Sequence, residues 1–383
     1  MSSYFELSAE QQAIRELARD FGRDRLAPFA LDWDREHVFP TDTLREAAAL
    51  GMAAIFVREA SGGAGLTRLD GVLIFEALAM GCPTIAAYLS IHNMCAGLID
   101  AFGTERQIDA WLPRLATMEA LSSYCLTESG SGSDAAALRT QARRNGDHYV
   151  LNGAKQFISG AGAGGADHLY VVMARTGESG PQGISAFVVE GGAPGLSFGA
   201  LERKMGWNAQ PTRAVIFDDC RVPAENLIGR EGDGFKIAMA ALDGGRLNIA
   251  ACSLGGAQSA FDHTLRYMNS RKAFGRALDE FQALQFRIAD MATQLEVSRT
   301  FLWRAAAALD VKAPDATMLC AMAKRVVTDA GFTVANEALQ LHGGYGYLSE
   351  YGVEKIVRDL RVHQILEGTN EIMRVIIARS LLK

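Results

Sequence analysis

The sequence predicts an α+β protein built from an N-terminal all-α domain, a small β-barrel or β-sandwich domain and a C-terminal four-helix bundle. Three observations support this prediction: capped helical patterns at the start of the chain, short β-rich runs in the middle, and long helical patterns at the end. At 383 residues the chain is long enough for two or three domains. We expect their boundaries at 1–120, 121–232 and 233–383.

Helix-start signals mark the N-terminal domain. Ser8-x-x-Gln11 and Thr104-x-x-Gln107 are capping-box patterns, and each opens a charged amphipathic run. Glycines and prolines divide the region between them into further segments, so we expect about five helices and no strand.

Four short β-rich runs mark the middle domain. They span residues 149–151, 168–173, 184–189 and 214–217. The dipeptide Asn152-Gly153 separates the first run from residues 155–159. Because Asn-Gly is the strongest short hairpin signal, the sequence predicts a tight turn there.

Long helical patterns return in the C-terminal domain. The candidate helices span residues 235–269, 281–309, 316–341, 351–363 and 370–382. Pro314 falls in a connection, and Gly343-Gly344 interrupts the pattern. Four or five long helices with short connections predict a bundle.

Composition excludes several classes of protein. Hydrophobic residues make up 49% of the chain and charged residues 21%, an ordinary globular balance. The net charge of −6 argues against a protein dedicated to nucleic acid or to an anionic membrane. The longest apolar run, 86–102, contains His92, Asn93 and Asp100 and falls short of the roughly 18 residues that span a bilayer. Residues 1–6 show no export signal.

The cysteines and histidines predict no metal site. The six cysteines stand singly without a Cys-x-x-Cys pair, so we expect small buried thiols in a reducing compartment. His363 precedes Glu367 by four residues, but one such pair is a poor metal site without further ligands.

Glu367 is the residue around which we interpret the chemistry. It follows the apolar pair 365–366 and precedes a glycine and Thr369, which can cap a helix. Apolar neighbours on such a loop desolvate a carboxyl group and raise its pKa toward the range of a general base. An acid that merely complements the helix dipole is the alternative.

Two further stretches suit a phosphate or a flat ring. Residues 124–134 run from a strand end into hydroxyls and glycines, and an ordinary polar turn is the alternative. Phe157 and Ser159 alternate along a predicted strand, with core packing as the alternative for Phe157. The glycines of 160–165 match a dinucleotide fingerprint only formally, because they lead into a strand and not a helix, and they predict a flexible loop.

Asp243 and Arg246 share a helical face, and a surface ion pair is one interpretation. The two glycines between them weaken a helix by roughly 1 kcal/mol each, so we expect another part of the chain or a ligand close by. The cationic stretch 271–276 and the glycine bend 340–346 add groups suited to a pyrophosphate.

Together these motifs resemble the flavin-dependent acyl-CoA dehydrogenase family, in order and over essentially the whole chain. The matching motifs are Tyr-Cys-Leu-Thr-Glu at 124–128, Gly-Ser-Asp at 132–134, Arg-Lys-x-Phe-Gly at 271–275, Gln-Leu-His-Gly-Gly-Tyr-Gly at 340–346 and Ile-Leu-Glu-Gly-Thr-Asn-Glu-Ile at 365–372. Residues 206–217 and 362–374 look most like the branch that acts on isobutyryl-CoA in valine breakdown. Ser129 stands where the family usually has proline, and Phe157 where many members have tryptophan.

The resemblance implies FAD, bound partly across a subunit interface. The implied FAD-binding residues are Tyr124, Cys125, Leu126, Thr127, Gly132, Ser133, Phe157, Ile158, Ser159, Arg271, Phe274, Gln282, Gln340, Gly343, Gly344, Thr369, Asn370 and Glu371. The CoA portion of the substrate would contact Ser133, Asp243 and Arg246.

The resemblance also implies a mechanism. Glu367 would remove the α-proton of an acyl thioester while the β-hydride passes to the flavin, giving the trans-2-enoyl-CoA. Some branches place the base at the position of Gly245, which cannot act as one here. A short, branched, isobutyryl-like acyl group is expected, with 2-methylbutyryl and butyryl groups as alternatives.

The implied electron acceptor is an electron-transferring flavoprotein; an oxygen-using oxidase of the same fold remains an alternative. Glu367 and the flavin motifs disfavour a non-catalytic helical scaffold.

The family resemblance implies a homotetramer, and a flavin site divided between two subunits requires at least a dimer. The expected location is the cytoplasm of a bacterium, or the mitochondrial matrix for a processed eukaryotic chain, with no nucleic-acid or membrane partner.

Overall fold

The computed structural model describes residues 6–382, with helices at both ends and a sheet between them. Residues 1–5, on which the prediction of no export signal mainly depends, lie outside the described part, as does residue 383. The helices are α1 (Ala9–Phe21), α2 (Ala30–Glu36), α3 (Thr41–Ala49), α4 (Arg68–Gly81), α5 (Pro83–Phe102), α6 (Glu105–Ala116), α7 (Gly234–Ser270), α8 (Gln282–Asp310), α9 (Ala316–His342), α10 (Val353–Arg361) and α11 (Asn370–Leu381). The strands are β1 (Ser122–Cys125), β2 (Gln141–Asn145), β3 (His148–Ser159), β4 (Leu169–Arg175), β5 (Ile184–Glu190), β6 (Leu196–Phe198), β7 (Thr212–Pro223), β8 (Leu227–Ile228), β9 (Lys272–Ala273) and β10 (Arg276–Ala277).

Six helices precede the first strand, and no strand lies between residues 6 and 121, which confirms the predicted all-α start. Both predicted capping boxes form. The backbone N–H of Gln11 donates to Ser8 Oγ over 3.1 Å, and that of Gln107 donates to Thr104 Oγ1 over 3.3 Å. Local capping chemistry therefore fixes where α1 and α6 begin.

Helix α5 contains the longest apolar run. This helix of 20 residues is long and apolar enough to span a membrane. An 18-residue window within it has a mean hydropathy of 1.3, but 78% of that window is buried inside the protein. The polar groups of α5 are used in the interior. Asn93 donates to the Met52 carbonyl over 2.8 Å and accepts from the Ile55 N–H over 2.7 Å. These contacts are those of a core helix.

The middle domain is an eight-stranded sheet with the order β6-β7-β3-β2-β4-β5-β8, and β1 pairs with β4. All four predicted β-runs correspond to strands, β3, β4, β5 and β7, although the run 168–173 starts one residue before β4. Alternate residues of β4 are buried on opposite faces. Leu169 and Val171 join a core shared with α5, α6 and α7, whereas Tyr170 and Val172 join a core within the sheet domain. The sheet is thereby anchored against both helical parts.

The predicted hairpin at Asn152-Gly153 is wrong. β3 passes through this dipeptide without reversing, and its pairing with β7 shifts register between Leu151 and Gly153, an irregularity of the β-bulge type. The Asn152 amide bonds to Asp219 on β7 over 3.0 Å. The chain reverses instead at Gly146, with φ 65°, where another Asn-Gly dipeptide joins β2 to β3. Both sites need a glycine at an unusual φ, so the dipeptide alone does not distinguish them.

The C-terminal domain is the predicted helical bundle, and each candidate helix is present. A short connection containing Pro314 joins α8 to α9, and the 3₁₀ segment Gly343–Tyr347 ends α9 where the glycine bend was predicted. Helix α7 packs against α8 and α9 and also against α4 and α5 of the N-terminal domain. One hydrophobic core therefore runs through both helical parts.

The carboxylate of Asp359 on α10 joins three parts of the chain. It accepts hydrogen bonds from Thr84 Oγ1 on α5 (2.8 Å), the backbone N–H of Trp207 (2.7 Å) and Lys355 Nζ (2.6 Å). Burial opposes ionisation of this carboxyl group, but the Lys355 ammonium and the hydrogen bonds from Trp207 and Thr84 together outweigh burial and lower the pKa of Asp359.

Lys355→Met is expected to reduce the free energy of unfolding by about 3–5 kcal/mol, because it leaves the buried Asp359 carboxylate without its charged partner. Urea unfolding of the purified protein measures this change. Arg45→Met is the control, since the side chains of the Arg45–Asp42 pair are 54% and 92% exposed. An equal loss in both variants would contradict the prediction.

Candidate active site

Glu367 lies on the short loop between the 3₁₀ segment Val362–Gln364 and α11. Thr369 caps α11 as predicted, because its hydroxyl accepts the Ile372 N–H over 3.3 Å. Glu367 Oε2 is buried and has no hydrogen-bond partner among residues 6–382. Burial raises the pKa of Glu367 to about 7, with the cations Arg246 and Lys324 opposing the rise. The carboxyl group thus has the pKa of a general base that works near neutral pH.

The glycines of α7 lie against this carboxyl group. A Cβ placed on Gly245 would stand 2.7 Å from Glu367 Oε2, and one on Gly244 would stand 2.5 Å from Arg68 Nη1. The close approach predicted at this pair is therefore present, and Glu367 itself is one of the two neighbours. The other, Arg68, was not identified from the sequence; its guanidinium lies 4.0 Å from the ring centroid of Phe56.

Asp243 and Arg246 form an ion pair of 2.7 Å, with side chains only 16% and 6% exposed. The surface-pair interpretation is therefore wrong. Arg246 Nε also donates to the backbone carbonyl of Glu367 over 3.4 Å, and Thr317 donates its hydroxyl proton to Asp243 over 2.7 Å. The pair connects α7 and α9 to the loop that carries Glu367.

The first proposed flavin stretch joins the second through the sheet. The Gln156 N–H donates to the Thr127 carbonyl over 2.8 Å, and Ser123 Oγ donates to the Ser159 carbonyl over 2.6 Å. The Tyr124 hydroxyl is buried without a hydrogen-bond partner among the described residues. Burial, followed by the nearby Glu367 carboxylate, raises the pKa of Tyr124 well above its usual value. The hydroxyl therefore keeps its proton.

Phe157 is 63% exposed and adopts φ 60°, so the core-packing alternative is wrong for this ring. Its neighbour Ile158 and the strand residue Cys125 are 3% and 0% exposed, within the sheet core. Those two residues can therefore offer a ligand only their backbone. Leu126 is partly buried, and its carbonyl accepts from Lys155 Nζ over 3.0 Å.

A buried ion pair supports the loop that follows β1, and the sequence interpretation missed it. Glu128 Oε1 lies 2.8 Å from Lys155 Nζ, and the Glu128 carboxylate also accepts the N–H groups of Arg139 and Thr140. Gly132 and Ser133 on this loop are exposed. The only signal was a lysine within a predicted strand segment, and the sequence alone did not pair it with a partner.

Arg271, Gln340, Gly343 and Gly344 line one cleft of about 540 Å³, together with Arg287. The Arg271 guanidinium lies 5.1 Å from the ring centroid of Tyr345, and no atom would obstruct a Cβ at either glycine. Guanidinium groups beside an open, side-chain-free bend suit a phosphate-bearing ligand.

The other predicted FAD contacts lie outside the lining of this cleft. Phe274 is 96% exposed on the turn between β9 and β10, and Gln282 is exposed at the first turn of α8. Asn370 is buried, and its amide donates to Thr328 and Asp329 of α9. Glu371 is exposed and pairs with Arg374 over 3.2 Å.

The cysteines are free and buried, as predicted. Within residues 6–382, no group of three or more histidine, cysteine, aspartate or glutamate side chains is arranged to hold a metal ion. His363 packs in the interior, with its ring centroid 5.5 Å from that of Trp207.

Known proteins match the chain along its whole length. Three family models match: the acyl-CoA dehydrogenase N-terminal domain over residues 8–119, the middle domain over 123–220 and the C-terminal domain over 232–382. A protein of Dictyostelium discoideum described as mitochondrial isobutyryl-CoA dehydrogenase is 56% identical over 378 residues, which cover 98% of this chain and 90% of that protein.

Solved structures of related proteins are similar to this chain over its whole length. Butyryl-CoA dehydrogenase from Megasphaera elsdenii is 39% identical and superposes with a TM-score of 0.95 over 100% of both chains. A chain in a structure described as the electron-transferring flavoprotein of Acidaminococcus fermentans is 40% identical, with a TM-score of 0.96 over 100% of both chains. This chain therefore belongs to the acyl-CoA dehydrogenase family, whose members are FAD-dependent oxidoreductases.

Proposed function

We propose that this enzyme dehydrogenates isobutyryl-CoA at the α,β position, with Glu367 as the catalytic base. One observation carries the assignment of the base. A carboxyl group with a buried oxygen that has no partner among residues 6–382, and with a pKa of about 7, lies against the glycine face of α7. Such a group can accept a proton at neutral pH without first breaking an ion pair.

The proposed steps follow from the residues around Glu367. Glu367 Oε2 takes the α-proton, made acidic by the thioester carbonyl, and becomes a neutral acid in a site that favours the neutral form. FAD, when bound, supplies the hydride acceptor for the β-carbon. The protonated Tyr124 hydroxyl adds no competing negative charge. Arg246 and the glycine face of α7 hold the base in place.

The residues fit FAD. The exposed ring of Phe157 offers a flat apolar surface against which a flavin can stack. Backbone groups of 124–127 and Ser159 lie on the joined strands beside it. The guanidinium group of Arg271 suits a pyrophosphate, whereas that of Arg287 is paired with Glu337. The exposed Phe274 suits a contact to a second subunit. In this proposal Gly132 and Gln282 complete the contacts.

A short branched acyl group is proposed on two grounds. The relative that is 56% identical is described as an isobutyryl-CoA dehydrogenase. In addition, Gly244 and Gly245 let Arg68 and Glu367 lie directly against α7, which in this proposal shapes the wall beside the base. Ser133, exposed on its loop, remains the proposed contact for the CoA portion. Arg246 is buried and paired with the partly buried Asp243, so this pair would act there by shaping the wall.

The proposal extends to partners and location. The likeness to a chain in a structure described as an electron-transferring flavoprotein supports such a protein as the electron acceptor. A homotetramer, a role in valine breakdown and a reducing compartment complete the proposal. The compartment would be the bacterial cytoplasm or the mitochondrial matrix; the Dictyostelium relative is described as mitochondrial.

Anaerobic titration of the FAD-bound enzyme with isobutyryl-, 2-methylbutyryl-, isovaleryl- and butyryl-CoA tests the substrate. We expect isobutyryl-CoA to bleach the flavin fastest, about 10-fold or more ahead of substrates that differ by a methylene, because one methylene is worth about 1–3 kcal/mol. Faster bleaching by straight-chain butyryl-CoA would refute the branched-chain assignment. Steady peroxide formation in air without another acceptor would identify an oxidase instead.

A further inference from the structure

Lys324, in the middle of α9, is a buried cation whose hydrogen bonds go to neutral acceptors. Its side chain is 0% exposed, and Nζ donates to the backbone carbonyl of Gly368 (2.8 Å) and to Asn370 Oδ1 (2.8 Å). A buried ammonium group is unfavourable unless its contacts compensate for the lost hydration. Packing alone would favour an apolar residue here, so these contacts require an explanation.

Both acceptors follow Glu367 directly: Gly368 is the next residue of the loop, and Asn370 is the first residue of α11. Glu367 and Gly368 both adopt left-handed backbone conformations, with φ of 56° and 85°. A non-glycine residue in this region is strained and persists only when surrounding contacts enforce it. Lys324 binds the carbonyl immediately after the base.

Helix α9 holds the loop at more than one point. The Asn370 amide donates to Thr328 Oγ1 over 3.0 Å and to Asp329 Oδ1 over 2.7 Å, and both acceptors lie about one turn beyond Lys324 on α9. The Lys324 ammonium is the contact nearest to the base in this set, and it is the only one that brings a positive charge among the three α9 residues named.

The charges around Lys324 favour an ionised base. Four charged groups act on the Lys324 ammonium: Glu367, Arg246, Asp329 and Glu371. Among these four charges, Glu367 has the largest effect on the pKa of Lys324. Burial lowers the pKa of Lys324 to about 8, so the side chain is cationic at neutral pH. Its charge and that of Arg246 oppose the burial that raises the pKa of Glu367.

We propose that Lys324 is a positioning residue for proton abstraction: its ammonium group fixes the Glu367 loop in its left-handed conformation and stabilises the ionised form of the base. Lys324 itself transfers no proton. This inference rests on the proposed role of Glu367.

Three substitutions separate the charge from the hydrogen bonds. In Lys324→Met, which removes both, we expect the maximal rate of flavin bleaching by isobutyryl-CoA to fall about 10-fold or more. The acidic limb of the pH–rate profile, which lies near pH 7 in the parent enzyme, should move upward by about one pH unit. The reason is that losing a nearby cation raises the pKa of a carboxyl group. Lys324→Gln should show the same shift of the limb with a smaller loss of rate. Lys324→Arg should leave the limb near its original pH.

Affinity for isobutyryl-CoA, from the same titrations, and bound FAD should stay within about 2-fold in all three variants. Lys236→Met, an exposed lysine on α7, is the matched control and should show no shift. An unmoved limb in both the methionine and glutamine variants would overturn the proposal. Failure of all three variants to fold or retain FAD would also overturn it, by making Lys324 a residue of the core. Glu367→Gln run in parallel tests the base separately: retained bleaching there would refute the base itself, whatever the Lys324 variants do.

Discussion

Glu367→Gln is expected to slow flavin bleaching by acyl-CoA by about 10²–10⁴-fold, the usual contribution of a positioned general base. The amide has the shape of the carboxyl group but cannot accept the α-proton. Glu367 Oε2 makes no hydrogen bond within residues 6–382, so the substitution breaks no contact there. The close approach to Gly245 is also preserved, because the side-chain volume hardly changes. Binding of FAD and of acyl-CoA should therefore survive.

Rapid mixing of the variant with isobutyryl-CoA under anaerobic conditions measures this rate, with bound FAD determined from the flavin absorption. Glu350→Gln is the matched control, because it makes the same chemical change at an exposed position beyond α9. The control should bleach at the parent rate. Bleaching at an undiminished rate in Glu367→Gln would refute the assignment of the base.

The secondary structure was predictable where the signals are local. Capping boxes at Ser8 and Thr104 and long helical periods required only neighbouring residues, and each predicted helix of the C-terminal domain is present. The hairpin failed at Asn152-Gly153, because the dipeptide fits a bulge as well as a turn. Only its partner on β7, Asp219, decides between them, and that partner lies 67 residues away in the sequence.

In the candidate site, too, the residues with local sequence signals were predicted, and those defined by distant contacts were not. The sequence pointed to Glu367 and to a close approach at the α7 glycines, because an acid between apolar residues and a glycine pair in a helix are visible locally. Arg68 and Lys324 were missed, since their roles depend on contacts across the fold. Lys324 lies 44 residues from Gly368, the residue whose carbonyl it binds. Lys324 is followed directly by Arg325, so the sequence shows neither which of the two cations is buried nor which group it contacts.

Gly245→Ala is expected to reduce the rate of flavin bleaching by about 10²-fold, the loss that a misplacement of about 1 Å can cause. The added Cβ would meet Glu367 Oε2 at 2.7 Å, closer than non-bonded atoms tolerate, and also the carboxyl carbon at 3.0 Å. Glu367 cannot retreat freely, because its loop is strained and held by Arg246 and Lys324. The methyl group should therefore turn the base away from the α-carbon.

Two other helical glycines isolate this effect. Gly97→Ala on α5 adds the same methyl group where no atom lies within 4 Å, so it should leave the rate unchanged and favour the helix by up to about 1 kcal/mol. Gly244→Ala meets the end of the flexible Arg68 side chain, which can move, so its loss should be smaller than that of Gly245→Ala. Equal rates in Gly245→Ala and Gly97→Ala would mean that the loop gives way at no cost to catalysis. That result would contradict a base held rigidly against α7. A loss of rate only in Gly245→Ala would instead show that this position cannot carry a side chain when the base comes from the loop before α11. In some branches of the family, as the resemblance implies, the same position carries the base itself.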